Sequence, residues 1–387
     1  MATTHKITCY PVGNGDTTQI TLSGGRRVLF DFCHRSNAEQ DETAPINLMA
    51  RLRKDLKGVG RNYFDVVAFT HGDSDHIAGS TEFFELNHAE KYQGGDRIKI
   101  SELWVPAAML LEATDKDHQQ EENVLLRQEA RYRLLEGKGI LVFSKPQVLM
   151  DWLEPKLKER GEPATARDQF FVDAGRLVPG FTLERDGVEF FCHSPFIKHC
   201  DDGDIIRNQA SLIFNARFLA DGALYDYLHV GDATWEELED IVQISKYHQN
   251  EDRLAWDLFN IPHHCSYHAL NEEGQKGGKE TALKPLVKEL LLQGKADAYI
   301  VCSSKPIPDM EASYDQVQPP HIQARKAYER YLKEVGGRKF LITMEEPNTK
   351  NPEPIVFEIT FGGVAWKRSA LIGAPAMITS VPPRAGK

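Results

Sequence analysis

The sequence lacks several features that would place the protein in a membrane or outside the cell. No apolar run approaches the ~18 residues of a transmembrane helix, and the N-terminus has neither the basic nor the apolar region of a secretory signal. The six cysteines form no Cys-x-x-Cys pair, which predicts reduced and mostly buried thiols. Internal repeats and low-complexity linkers are also absent. We therefore expect a soluble, cytoplasmic protein with no membrane partner.

An excess of basic residues is missing as well. The 387 residues include 46 Lys and Arg against 57 Asp and Glu, which gives a formal net charge of −11. This argues against a broad surface that coats nucleic acid. It does not exclude a nucleic-acid substrate, because two divalent cations in a cleft would carry a local charge of about +4 themselves. The length allows one large α/β domain with insertions, or two domains.

The sequence does contain a dense group of residues that bind metals, between positions 70 and 79. The group consists of His71, Asp73, Asp75 and His76. An apolar, strand-like run precedes it and a helical pattern at 77–86 follows, so the ligands lie on a short loop held at both ends. His71 and Asp73 alternate along an extended segment and share one side. Asp75 and His76 point towards a second centre.

These four residues predict a dinuclear metal site. Imidazole and carboxylate ligands suit Zn, Mn or Fe, and two neighbouring centres of this kind suit hydrolysis. We place all four among the metal ligands, and Asp75 also among the catalytic residues. The alternative is a polar surface loop that happens to contain two His and two Asp residues.

Two further carboxylates come at the ends of strand-like runs. Asp232 follows Gly231, where close backbone approach would let a carboxylate bridge two cations. The alternative is that Asp232 caps the helix predicted over 235–244, with Thr234 competing for that role. Asp31 ends another apolar run, and it either orients a ligand His or is simply a turn residue.

The apolar run at 258–262 ends in a pair of histidines. Two adjacent residues of an extended strand cannot both face one metal. We therefore predict His263 as a metal ligand and His264 as a phosphate contact or proton donor. His268 is a weaker candidate for the role of His264.

The range 84–186 is the least regular part of the sequence. We interpret it as a partly helical insertion beside the metal cleft, which could act as a lid that shapes the substrate site. Within it, strong helix formers and charges on most faces predict an exposed helix over 119–136. His88 and His118 are expected to be solvated surface residues rather than ligands. A single domain is expected over 1–375, followed by a loose tail at 376–387.

As a set, these motifs resemble the metallo-β-lactamase superfamily, and most of all the branch represented by the hydrolase domain of the ComEC competence channel. Asp73 matches that branch, which has Asp at the second ligand position of the H-x-H-x-D-H motif. The resemblance implies an αββα sandwich of class α/β, with a metal site along one edge, and a hydrolase that often acts on phosphodiesters. The matching segments are Val12-Gly13-Asn14-Gly15-Asp16, Leu29-Phe30-Asp31, His71 to His76, Asn208-Gln209-Ala210-Ser211, Gly231-Asp232 and His263-His264-Cys265-Ser266.

The sequence departs from the family pattern at two places near the expected metals. Cys265 replaces the usual Gly after the His pair, which could change the loop or place a soft ligand near the site. The third ligand of the first metal, usually a His ahead of the bridging Asp, is not obvious. His193 is our prediction because it ends a strand, and His199 and Asn208 remain open alternatives.

The predicted function is that of a metal-dependent nuclease or phosphodiesterase acting on DNA or RNA, with a hydroxide shared by two divalent cations, Zn or Mn, as the nucleophile. Two alternatives remain. One is hydrolysis of a small substrate such as a cyclic nucleotide, lactone or thioester, which the acidic composition favours. The other is a catalytically silent binding module on the same fold, which a complete ligand set argues against.

Overall fold

The computed structural model describes residues 3–35, 46–111, 121–198, 210–272 and 278–368. His118, His199, Asn208 and the expected tail at 376–387 lie outside these ranges. Among the described residues, no helix has the length and apolar character needed to cross a bilayer.

Sixteen strands make up the two sheets of the described chain. They are β1 (His5–Cys9), β2 (Thr18–Thr21), β3 (Arg27–Phe30), β4 (Tyr63–Ala68), β5 (Lys99–Pro106), β6 (Ile140–Phe143), β7 (Phe171–Val172), β8 (Arg176–Leu177), β9 (Val188–Ser194), β10 (Ile213–Ala220), β11 (Ala223–His229), β12 (Trp256–Asn260), β13 (Gly294–Cys302), β14 (Lys339–Ile342), β15 (Ile355–Thr360) and β16 (Gly363–Lys367).

The α-helices of the described residues connect these strands. They are α1 (Leu48–Lys57), α2 (Ser74–Ile77), α3 (Ser80–Phe83), α4 (Ala107–Leu111), α5 (Glu121–Glu136), α6 (Gln147–Glu159), α7 (Leu183–Asp186), α8 (Trp235–Tyr247), α9 (Pro285–Leu291) and α10 (Ile322–Glu334).

The topology brings the ends of distant strands to one edge. The first sheet has the order β16-β15-β1-β2-β3-β4-β5-β6-β7, and the second has the order β14-β13-β12-β11-β10-β9-β8. β3 to β7 run parallel in the first sheet, as do β11 to β14 in the second. Loops that follow the carboxyl ends of parallel strands share one edge of a sheet, which is where α/β folds place their sites.

The core lies between the two sheets, with helices on both outer faces. Trp104 on the first sheet packs edge-on against Phe190 of the second, with ring centroids 5.4 Å apart. On the outer face of the first sheet, α1 buries Leu48, Leu52 and Leu56, which are spaced four residues apart on one side of the helix. Helices α8, α9 and α10 cover the second sheet in the same way. The predicted αββα sandwich is confirmed.

The range 84–186 is part of both sheets. It supplies β5, β6 and β7, which extend the first sheet, and β8 at the edge of the second. The interpretation of this range as an insertion beside the cleft stays a prediction. Its irregular sequence reflects short strands and many turns.

Helix α5 is not the exposed helix that its charges predicted. Glu129 is fully buried and pairs with Arg133, with Oε1 and Nε 2.6 Å apart. Glu129 also accepts a hydrogen bond from the backbone N–H of His88, and its Oε2 lies 3.1 Å from Nδ1 of that residue. The expectation of a solvated His88 is wrong for the same reason, since its side chain is only 10% exposed. Charged residues are buried here in pairs, which composition alone does not reveal.

Candidate metal centre

Asp31 holds the loop that carries the ligand-type residues. Its Oδ1 accepts a hydrogen bond from the backbone N–H of Thr70 at 2.7 Å, and its Oδ2 accepts one from the Thr70 hydroxyl at 2.7 Å. Oδ2 also lies 2.8 Å from Nδ1 of His76. Because Nδ1 donates its proton to Asp31, Nε2 is the nitrogen of His76 that could bind a metal. Of the two roles left open for Asp31, the structure shows the first, orienting a histidine.

Four ligand-type side chains from three parts of the chain converge beside this loop. They are Asp75, His76, Asp232 and His264, and their ligand atoms lie within 4.8 Å of one another. Nε2 of His76 is 3.1 Å from Asp232 Oδ1. Nε2 of His264 is 3.2 Å from Asp75 Oδ2 and 3.7 Å from Asp232 Oδ2. We call this group the second site.

His71 and Asp73 lie on the other side of Asp232. Nε2 of His71 is 3.6 Å from Asp73 Oδ2 and 4.0 Å from Asp232 Oδ2. His71 is buried, whereas the Asp73 side chain is 34% exposed. We call His71, Asp73 and Asp232 the first site. Asp232 therefore lies between the two sites, with Oδ1 facing His76 and Oδ2 facing both His264 and His71. The cap of the following helix is made by Thr234 with Glu237.

The structure separates the two adjacent histidines. His264, not His263, belongs to the converging group. Its Nδ1 donates a hydrogen bond to the carbonyl oxygen of Ser303 at 2.7 Å, and its Nε2 faces the two carboxylates, of which Asp75 Oδ2 accepts a hydrogen bond from it at 3.2 Å. The prediction assumed an extended backbone, but β12 ends at Asn260 and the pair sits on a left-handed turn, with φ of 48° at His263 and 51° at His264. His263 is half-buried outside the group.

The remaining predicted residues lie elsewhere. His193 is buried, and its Nε2–H donates to the carbonyl oxygen of Arg253 at 3.0 Å, so the structure does not bring it to the first site. Burial lowers the pKa of His193 to about 4. His268 is exposed and is not among the converging residues. Cys265 is fully buried with φ of 67°, and its Sγ faces the carbonyl oxygen of His321 rather than the ligands.

A second buried group lies beneath the sites and was not identified from the sequence. Asp16, Asp31 and His229 offer ligand atoms within 4.8 Å of one another. Asp16 Oδ2 accepts a hydrogen bond from Asn260 at 3.1 Å, and Oδ1 accepts one from the Ser303 hydroxyl at 3.1 Å. Both ring nitrogens of His229 lack a hydrogen-bond partner. The available signal was the position of Asp16 in the Val-Gly-Asn-Gly-Asp segment and of His229 three residues before Asp232.

The residues fit divalent cations. Nε2 of His71 is buried and has no hydrogen-bond partner, and the buried Nε2 of His76 faces Asp232 Oδ1 at 3.1 Å, as expected for atoms that bind a metal. Burial would raise the pKa of Asp232, but without a metal the positive charge of protonated His76 and His264 outweighs burial and holds this pKa well below its usual range. Asp232 is therefore ionised at neutral pH. Imidazole nitrogens combined with carboxylate oxygens suit Zn, Mn or Fe.

Comparison with known proteins gives only weak structural similarity. No protein-family model matches the chain, and no curated protein is similar enough in sequence to be identified as a relative. Among solved structures, a diphosphatase from the PhnP family is 12% identical with a TM-score of 0.31, over 83% of this chain and 96% of that one. Metallo-β-lactamase SMB-1 is 11% identical with a TM-score of 0.27, over 65% of this chain and 77% of that one. A long form of RNase Z from yeast is 10% identical with a TM-score of 0.35, over 88% of this chain and 40% of that one. At these identities and TM-scores the matches carry no argument about what this chain does.

Proposed function

We propose that the chain is a metal-dependent hydrolase that cleaves phosphodiesters of DNA or RNA with the help of two divalent cations. The observation that carries the proposal is the convergence of the second site, whose ligand atoms lie within 4.8 Å of one another although they come from three separate parts of the chain. The first site shares the Asp232 carboxylate.

The chain's own residues support this chemistry by orienting ligands. When bound, two cations would activate water and offset the charge that develops on the phosphate. Asp31 fixes the imidazole of His76, and the Ser303 carbonyl fixes that of His264, so each directs Nε2 at the second site. Nδ1 of His264 is bonded to the Ser303 carbonyl and Nε2 faces the second site, so neither nitrogen is left to donate a proton to the leaving group. We therefore assign the role of proton donor to His268. His268 is exposed, and an imidazole that reaches the substrate can protonate the departing alkoxide.

The choice of phosphodiesters rests on the character of the ligands and on the motif resemblance. The carboxylates of Asp73, Asp75 and Asp232 make the centre hard and anionic, which suits cations that bind phosphate oxygens. The ComEC-like motifs support the same substrate class. The net charge of −11 favours the small-substrate alternative, because it offers no basic surface for a long polyanion.

A substrate panel tests the proposal. Single-stranded DNA, duplex DNA, RNA and bis-p-nitrophenyl phosphate are each incubated with the wild type and Mn²⁺, beside the Asp75→Ala variant. Cleavage of a nucleic acid by the wild type alone supports the proposal. Cleavage of the small ester alone favours a small substrate. No cleavage of any of them contradicts the proposal and favours a binding module.

The metal preference gives a separate prediction. Asp73 supplies a carboxylate oxygen, which is a harder ligand than the imidazole nitrogen of a His at the same position. Mn²⁺ should therefore support activity at least as well as Zn²⁺. The measurement is the rate of cleavage by metal-stripped protein after titration with each ion. Recovery with Zn²⁺ only would count against this prediction.

A further inference from the structure

The start of helix α5 packs directly on the loop that holds the first site. Gly72 separates His71 from Asp73, and the side-chain amide of Asn123 lies against it. A Cβ atom built on Gly72 would lie 2.8 Å from Nδ2 and 3.0 Å from Oδ1 of Asn123. Cβ atoms in proteins essentially never approach other atoms so closely, so a side chain at position 72 would displace the Asn123 amide or the loop.

The neighbouring residue of α5 holds the far end of the same segment. Glu122 accepts a hydrogen bond from the Thr81 hydroxyl at 3.2 Å and others from the backbone N–H groups of Gly79 and Thr81. Two successive residues of α5 therefore contact both ends of the segment 72–81, which contains Asp73, Asp75 and His76.

Helix α5 is itself firmly anchored in the fold. Asn123 is 2% exposed and Leu126 is 1% exposed, in the core under the helix. One turn further on, the buried pair of Glu129 and Arg133 ties α5 to the backbone, because Arg133 donates to the carbonyl oxygens of Ile100 and Gly139. The position of Asn123 is thus set by the core and not by the metal loop.

We propose that Asn123 is a positioning residue, which fixes the separation and direction of His71 and Asp73 for the cation of the first site. The inference rests on the proposed function, since it assigns a role within the same centre. A ligand loop gains precision when a rigid element packs against it, and loss of such a supporting contact typically weakens metal binding by about 10–100-fold. The second site depends less on Asn123, because its ligands are fixed by Asp31 and Ser303.

The test measures the two steps of metal binding separately in the full chain. Mn²⁺ is titrated in competition with a chelator, and the steps are assigned with Asp73→Ala, which removes a ligand of the first site, and His264→Ala, which removes one of the second. In Asn123→Ala the dissociation constant of the first site should rise about 10–100-fold, with the second site changed by less than about threefold. Gln128→Ala, on the exposed face of the same helix, is the matched control and should change neither step.

A pair of substitutions separates positioning from a general loss of stability. Gly72→Ala alone places a methyl group against Asn123 and should weaken the first site. In the double variant Gly72→Ala with Asn123→Ala the methyl group has space, so the first site should bind Mn²⁺ more tightly than in Gly72→Ala alone.

Three results would overturn the inference. If the wild type binds two ions and Asn123→Ala binds them equally well, Asn123 does not position the ligands, while the proposed function stands. If Asn123→Ala binds Mn²⁺ more weakly at both sites by the same factor, and its free energy of unfolding falls as well, then Asn123 has only a structural role. A wild type that binds no Mn²⁺ at either step would remove the proposed function together with this inference.

Discussion

At the residue scale, the backbone at positions 263–265 decides which histidine joins the group of ligand-type side chains. His263, His264 and Cys265 all have positive φ, a conformation that costs about 1–2 kcal/mol for each residue that is not glycine. The turn directs the His264 imidazole into the group and leaves His263 outside it. Strain of this kind is retained where the surrounding structure and the site require it.

A pair of alanine variants tests this assignment. His264→Ala should weaken the second site by about 100-fold or more, because it removes a ligand rather than a supporting contact. His263→Ala should leave both binding steps within about threefold of the wild type. The measurement is the Mn²⁺ titration described above. If His263→Ala loses a binding step and His264→Ala keeps both, the two histidines have been assigned the wrong way round.

His193 makes the stability of the protein depend on pH. Burial lowers its pKa to about 4 from the ordinary 6.5. Above pH 6.5 both folded and unfolded states hold a neutral imidazole. Between pH 6.5 and 4 only the unfolded state takes up a proton, so the free energy of unfolding should fall by about 3 kcal/mol over this range.

Unfolding in urea at a series of pH values measures this effect. The His193→Gln variant keeps a side chain that can donate to the Arg253 carbonyl but cannot titrate. Its free energy of unfolding should therefore fall less steeply than that of the wild type between pH 6.5 and 4, and match its slope above pH 7. Parallel curves over the whole range would show that His193 is not buried in its neutral form.

How far the sequence predicts the site depends on how local each signal is. The ligands of the segment 70–79 could be predicted because a short loop between a strand and a helix restricts the directions of its side chains. The orientation of His264 could not, because a left-handed turn of three residues without glycine has no clear sequence signal. Asp16 and His229 meet only through the packing of two sheets, which spacing along the chain does not describe.

At the element scale, α5 shows how charged residues can support a buried helix. Glu129 is fully buried, and its replacement would leave Arg133 as a buried cation without its carboxylate. Glu129→Ala should therefore lower the free energy of unfolding by about 3–5 kcal/mol. Glu136 lies at the end of α5 and makes an exposed ion pair with Arg160, outside that helix. Glu136→Ala should lower the free energy of unfolding by less than about 1 kcal/mol. Unfolding in urea measures the free energy of unfolding of both variants. If both lose the same small amount, the stabilising role of the buried Glu129–Arg133 pair is contradicted.

The elements themselves differ in how well the sequence predicts them. The strand before the metal loop follows from its apolar run, and β4 spans Tyr63–Ala68 as expected. The helix predicted over 77–86 is instead two short helices, α2 and α3, because Gly79 takes a left-handed conformation with φ of 76° between them. The strands β5 to β8 within the range 84–186 could not be predicted, because short strands carry weak periodicity.

At the scale of the whole molecule, the fold explains why residues far apart in the sequence meet. β4 of the first sheet leads into the loop of His71 to His76, while β11 and β12 of the second sheet lead to Asp232 and His264. Packing the sheets face to face places these carboxyl ends at one edge. The sequence predicts this convergence only through the order of its motifs, since no local pattern specifies how two sheets pack.

The same packing concentrates negative charge in the interior. Asp31 and Asp232 are buried within a few ångströms of ligand-type histidines, and Asp16 lies beneath them. Buried carboxylates need positive partners or several hydrogen bonds. Cations at the two sites would provide that charge, so the arrangement connects the stability of this edge with metal binding.

The metal content of the purified protein tests this account most directly. Elemental analysis is applied to the wild type, to Asp75→Ala, and to Asp151→Ala as a control with an exposed aspartate. We predict two divalent ions per chain in the wild type and in the control, and one in Asp75→Ala, which keeps all the residues of the first site. A wild type without bound divalent ions after saturation, or an Asp75→Ala variant that keeps both, would contradict the account.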